Sequence, residues 1–125
     1  MLREIEGIAA EPSTRRRWFH DDYFDLFVWQ TEKGEVTLFQ LAYGTGESGQ
    51  ALVWHREVGL FHDGDKLDSA TANEMVQRFQ KEAEHLPRRV RSTVADRIRE
   101  HLEGRLPVAN RRKRFRREAW QQQAG

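Results

Sequence analysis

The stretch "YFDLFVWQTEKGEVTLFQLAYG" (Tyr23–Gly44) places apolar, β-branched and aromatic residues on both sides of the short polar segment "EKGE". Two such runs joined by a glycine-containing turn are typical of a β-hairpin. Gly34 supplies the positive φ that a tight turn needs, so Lys33 and Gly34 are predicted at the turn, with a longer symmetric loop as the alternative. Both connections give the same pairing of the two strands.

This pairing predicts which side chains share a face of the hairpin. Side chains alternate across a strand, and a one-residue slip would exchange the two faces. One face is almost entirely apolar and is predicted to enter the core, with Phe24, Leu26, Val28, Phe39, Leu41 and Tyr43. The opposite face is mixed and carries Asp25, Phe27, Trp29, Leu38 and Gln40.

A third strand is predicted in "QALVWHREV" (Gln50–Val58), with His55 on the same side as Val53 and Glu57. Gly59 is expected to end that strand or to form a bulge. The segment "REIEGIAAEPS", before and around Pro12, could supply a further edge strand.

The apolar spacing changes to that of a helix after Asp68. In "TANEMVQRFQKEAEHL" one face carries Met75, Val76 and Phe79, and Pro87 then starts a second helix. That helix places Val90, Val94, Ile98 and Leu102 on one stripe. The predicted fold is therefore α+β: an antiparallel meander of three or four strands, two amphipathic helices and a basic C-terminal tail. Residues 1–104 would form one domain, and residues 105–125 a tail that is disordered or helical.

Composition narrows the class of protein. The 125-residue chain has no cysteine, which excludes disulfides and thiolate metal sites. Its N-terminus lacks the pattern of a secretory signal, and no segment approaches the roughly 20 apolar residues of a membrane helix. We therefore expect a cytoplasmic protein without a membrane span.

The net charge of +1 conceals an uneven distribution of charge. Residues 105–125 carry seven basic residues and one acid, for a charge of +6, and residues 1–104 carry −5. A basic run of this kind can contact the phosphates of nucleic acid or an acidic protein surface, although many charge runs are only solvated tails. The predicted polyanion-binding residues are Arg111, Arg112, Lys113, Arg114, Arg116 and Arg117.

The segments "RRWF", "YFDLFVW", "FQLAYG" and "ALVW", between Arg16 and Trp54, resemble a group of small uncharacterised bacterial proteins. That group shares an Arg-Arg-Trp-Phe segment, a Phe-Asp-Leu-x-Val-Trp strand, a Phe-Gln-Leu strand and an Ala-Leu-x-Trp segment. The resemblance covers roughly a third of the chain. It implies a bacterial, cytoplasmic protein and no particular activity.

Two Phe-His-Asp triplets raise the possibility of a metal-assisted enzyme, because imidazole and carboxylate groups ligate divalent metals. In a three-stranded meander, however, the two triplets lie at opposite ends of the sheet, and "HDGD" also fits an ordinary Asp-Gly turn. His55 is a further candidate, although a structural histidine is the simpler interpretation. The candidate residues are His20, Asp21, Asp22, His55, His62, Asp63 and Asp65.

The mixed face of the hairpin is a possible ligand or partner face. Asp25 lies beside aromatic residues and would have a raised pKa if it were buried, whereas an exposed Asp25 would be ordinary. The aromatic side chains need a cover, which could be the helices, a ligand or a second copy in a homodimer. This candidate face consists of Asp25, Phe27, Trp29, Leu38, Gln40 and His55.

Motifs for phosphate cradles, dinucleotides, zinc proteases and serine hydrolases are absent from the sequence. We therefore expect no cofactor and no catalytic residues. The sequence predicts a small non-catalytic binding or accessory protein that contacts nucleic acid or another polyanion through its tail. A metal-assisted enzyme and a structural homodimer are the alternatives.

Overall fold

The computed structural model describes residues 1–6, 15–44 and 49–111. In these ranges the chain forms seven strands and two helices. The strands are β1 (Arg3–Ile5), β2 (Arg15–His20), β3 (Phe24–Gln30), β4 (Val36–Tyr43), β5 (Ala51–His55), β6 (Gly59–Asp63) and β7 (Val108–Arg111). The helices α1 (Ser69–Glu82) and α2 (Arg88–Leu102) lie between β6 and β7 in the chain.

All seven strands form one sheet in which spatial order follows chain order. Neighbours are antiparallel from β1 to β6, and the two helices carry the chain back so that β7 lies parallel to β6. The α+β class with a mostly antiparallel sheet is confirmed, and the predicted number of strands was too low. The strand β2 escaped prediction because its "RRRWFH" sequence lacks an alternating apolar pattern.

The central hairpin has the predicted register. Phe24 faces Tyr43, and Leu26 faces Leu41, so the predicted pairing of β3 and β4 is confirmed. The turn is wider than two residues: the Thr31 N–H donates to the Glu35 carbonyl across a three-residue loop, in which Gly34 has φ 87°. The pairing also shifts at the turn end of the strands, where Gln30 pairs with Val36.

The predicted third strand was too long. It ends at His55, and the Val58 N–H donates to the His55 carbonyl to close a turn. Gly59, at φ 124°, then begins β6 instead of ending β5. The chain therefore reverses between His55 and Gly59, and the one predicted strand becomes a second hairpin. Gly59 favours this reversal because glycine adopts a positive φ that other residues rarely do.

Both helices pack on one face of the sheet, here called the inner face. The six residues predicted for the core are all buried there. They meet the apolar stripes of the helices, for example where the Phe24 and Phe79 rings lie 5.9 Å apart edge to face. Asp68 begins α1 by accepting a hydrogen bond from the Thr71 N–H at 2.7 Å. The helix residues buried in this layer are Ala72, Met75, Val76, Phe79, Val90, Val94, Ala95 and Ile98.

The strand β7 lies in the region predicted to be the tail. Leu106 and Val108 pack against the core, and the Asn110 Oδ1 accepts a hydrogen bond from the Leu67 N–H at 3.0 Å. The folded part of the chain therefore extends at least to Arg111. The remaining predicted polyanion-binding residues, Arg112, Lys113, Arg114, Arg116 and Arg117, lie outside the described residues. Within the ranges described, no helix is long and apolar enough to cross a membrane.

Candidate ligand site on the outer face of the sheet

The face of the sheet opposite the helices, here called the outer face, carries most of the predicted site residues. One row of paired positions crosses six strands near the end of the sheet where β2 and β6 finish. This row contains His20, Asp25, Ala42, Ala51, Asp63 and Arg111 in spatial order. A His–Asp pair and an Asp–Arg pair thus flank two small residues.

Asp25 is the centre of the first charged group. Its residue is 1% exposed, and its Oδ1 accepts a hydrogen bond from the Trp18 indole N–H at 3.0 Å. The His20 Nδ1 lies 2.6 Å from the same oxygen. Because a carboxylate accepts hydrogen bonds and donates none, this contact puts the ring proton on Nδ1. The other ring nitrogen, Nε2, lies on the side of the ring away from Asp25. The His20 side chain is 41% exposed.

Local sequence explains why these groups meet. Trp18 and His20 lie two residues apart in β2, so they share the outer face, and the β2–β3 turn brings Asp25 opposite His20. Asp21 shapes that turn, because its Oδ1 accepts hydrogen bonds from the Tyr23 and Phe24 N–H groups. The interpretation of Asp25 as an exposed residue is wrong, because the residue is 1% exposed.

The aromatic part of the predicted partner face surrounds this group. The Trp18 and Phe27 rings stack with centroids 5.5 Å apart and planes inclined by 15°. Phe27 is buried together with Ala42 and Ala51 in a small apolar cluster to which Trp18 and Trp29 also belong. Of the other predicted members, Leu38, Gln40 and His55 are half-buried on the same face.

His55 contacts the backbone of Glu57 and not the Glu57 carboxylate, which was expected on the same side of the strand. Its Nδ1 accepts a hydrogen bond from the backbone N–H of Glu57 at 3.1 Å. The Glu57 carboxylate instead lies 3.4 Å from the Arg56 Nε. Glu57 lies in the tight turn after β5, so its side chain does not share the strand face that the longer predicted strand would have given it.

The second charged group of the row joins the last two strands. The Arg111 Nε and Nη2 donate to the Asp63 Oδ1 and Oδ2 at 2.5 and 2.9 Å. Asp63 is buried, and the Arg111 guanidinium also covers the Phe61 ring at 4.8 Å. The interpretation of Asp63 as a solvated turn residue is wrong, because it belongs to β6 and its charge is matched by β7.

His62 faces the opposite way from Asp63 and is fully buried on the inner face. Its Nε2 lies 2.7 Å from the Tyr43 hydroxyl, which also donates to the Gln50 Oε1 at 3.1 Å. Burial lowers the pKa of His62 and raises the pKa of Tyr43. At neutral pH this pair is an uncharged part of the core.

The geometry does not bring the metal candidates together. The extra hairpin puts His20 and His62 at the same end of the sheet, contrary to the predicted separation, but on opposite faces. Asp65 is exposed and accepts from the Gln50 amide at 3.3 Å. Among the residues described, no group of three histidine, aspartate or glutamate side chains is placed to hold a metal ion.

Sequence reasoning considered His20 and Asp25 separately and omitted Trp18 from the candidate residues. The signal that could have joined them is the "HDDYFD" segment, in which Asp21 favours a tight turn and pairs the flanking residues.

Comparison with protein-family models, with curated proteins and with solved structures gave no match to this chain. Its function must therefore be inferred from its own geometry and charge.

Proposed function

We propose that the protein is a non-catalytic binding protein that contacts nucleic acid through its C-terminal basic run. The observation that carries this proposal is the different balance of charge in the two parts of the chain. The described residues hold sixteen basic and seventeen acidic side chains, whereas residues 112–125 hold five basic residues and one acid. Most of the uncompensated positive charge therefore belongs to the run after β7.

Ion pairs hold six of the sixteen basic side chains in the described residues. Arg17 binds Glu4 through two hydrogen bonds of 2.7 Å, and Arg97 lies 2.6 Å from Glu100. The neighbouring carboxylate neutralises each of these guanidinium groups locally, so they add little to the net positive charge of the folded part.

Arg111 belongs with these internal pairs because its guanidinium is held by Asp63. This contact supports a smaller binding group than the six residues predicted from sequence. The proposed phosphate-contacting residues are Arg112, Lys113, Arg114, Arg116 and Arg117, here called the basic arm. The strand β7 ends at Arg111, the residue that precedes the arm in the chain.

The test is binding of a labelled DNA duplex, followed by fluorescence anisotropy over a salt series. Five phosphate contacts predict a log–log salt slope of about −4.5 on a duplex. A variant with all five arm residues changed to glutamine should lose most of this affinity and most of the slope.

A matched control removes the same charge from the folded part. Five exposed cations distributed over its surface are changed to glutamine: Lys33, Lys66, Lys81, Arg88 and Arg105. The proposal predicts that this control keeps the steep slope. Equal losses in both variants would point to net charge alone, and unchanged binding by the arm variant would show that the arm is not the binding element.

A further inference from the structure

We propose that Trp18 and His20, positioned by Asp25, form a subsite for one unstacked base of single-stranded nucleic acid. This inference rests on the proposed function and specifies its ligand, because a duplex keeps its bases stacked and cannot use such a subsite. It assigns a direct contact to residues that lie five strands across the sheet from Arg111, the residue that precedes the basic arm.

The first argument is preorganisation. Asp25 is almost fully buried, and its Oδ1 is bonded both to the Trp18 indole and to the His20 imidazole. The two rings lie 5.9 Å apart with planes inclined by 61°, so a flat ring and a polar edge meet at an angle. Side chains fixed in this way lose little conformational entropy when a ligand binds.

Trp18 provides the stacking surface. Its ring is held on one side by Phe27, and the residue remains partly exposed. Stacking of a base on an aromatic side chain is tolerant of sequence because every base has a π-face. The subsite is therefore expected to accept single strands of varied sequence.

His20 provides the polar contact. In the neutral tautomer that carries its proton on Nδ1, Nε2 accepts a hydrogen bond from a base amino group or a ribose hydroxyl, which are groups that single strands expose. Arg3 is paired with His20 across β1 and β2 and is exposed, so it can contact the adjoining phosphate. A base, its sugar and its phosphate each find a complementary group here.

The arm and the subsite can bind the same strand. Arg111 occupies the same row as His20, five strand spacings away, which corresponds to about 24 Å. A single strand of about 12 nucleotides is long enough to contact both ends of this row.

The experiment uses the full chain, a labelled single strand of that length and the matching duplex. Trp18→Leu should weaken single-strand binding by about fivefold to 150-fold. His20→Gln should weaken it by about twofold to tenfold. Both variants should bind the duplex like the wild type, with the same salt slope. His85→Gln, at an exposed histidine between the helices, is the control and should change neither affinity.

The outcomes separate this inference from the proposed function. Single-strand affinities equal to the wild type in both site variants would overturn the subsite, while loss of binding in the arm variant would still support the arm. Loss of single-strand binding in the site variants alone would support the subsite and overturn the arm. If Trp18→Leu does not fold, the half-exposed His20→Gln decides, and a wild type that binds neither probe overturns both proposals.

Discussion

At the scale of single residues, burial decides the chemical state of the histidines more than sequence context does. His62 and His20 both precede an aspartate, yet one is fully buried on the inner face and the other is 41% exposed on the outer face. A buried imidazole disfavours its charged form, which lowers its pKa. The same dipeptide therefore has a structural role in one place and a proposed binding role in the other.

Acid should destabilise the protein through His62. Its pKa in the folded state lies below the ordinary value of 6.5, so the unfolded chain takes up a proton at a higher pH than the native state does. Stability is therefore expected to fall as the pH drops below 6.5 and through the folded pKa, with a slope of at most about 1.4 kcal/mol per pH unit. Urea unfolding of the wild type and of His62→Gln at several pH values measures this difference.

The two proteins should differ most in how stability depends on pH. His62→Gln retains a polar contact for Tyr43 but does not titrate, so its pH profile should be flatter than that of the wild type. His85→Gln serves as the control and should keep the wild-type profile. A wild-type profile that is equally flat would contradict the buried neutral state of His62.

At the scale of elements, short strands are held by specific side-chain pairs as well as by backbone bonds. The strand β7 has only four residues and a single neighbouring strand within the described chain. Its attachment depends on the Arg111–Asp63 pair and on the hydrogen bond that the Asn110 Oδ1 accepts from Leu67, just before α1. A strand of this length has little apolar pattern, so periodicity alone could not predict it.

Arg111→Gln should destabilise the protein by about 1–3 kcal/mol, because it leaves the buried Asp63 carboxylate without its two strong donors. Arg111→Lys should recover part of this loss, since an ammonium restores the charge without the two-pronged geometry. Thermal unfolding followed by circular dichroism measures both effects. Arg105→Gln, which removes an exposed pair with Glu103, should leave the unfolding temperature unchanged, and an equal loss there would contradict the argument.

At the scale of the whole molecule, the return of the chain to β6 closes the fold. The strand β7 covers an edge of β6 that contains His62 and Asp63, and it brings Leu106 and Val108 to the core. The sheet and the helical layer are thereby completed by residues that follow the last helix. A domain ending at Gly104 would lack this closing strand.

Removal of residues 105–125 should therefore destabilise the protein much more than removal of residues 112–125. The longer deletion exposes the β6 edge and leaves Asp63 unpaired, whereas the shorter deletion keeps both contacts. Urea unfolding and the dispersion of amide NMR signals distinguish the two products. Equal stability of the two truncated chains would show that β7 contributes little to the fold.

The sequence by itself determined the central hairpin, its buried face and the two amphipathic helices. Alternation and helical periodicity are local properties, and Phe24, Leu41 and Ile98 could each be assigned from their neighbours. Only the tertiary structure decided the contacts of Asp25 and Asp63: Asp25 meets Trp18 and His20 once the β2–β3 hairpin has formed, and Asp63 meets Arg111 48 positions along the chain. One tight turn at Gly59 reversed the direction of the strand that follows and so fixed which charged groups share an end of the sheet.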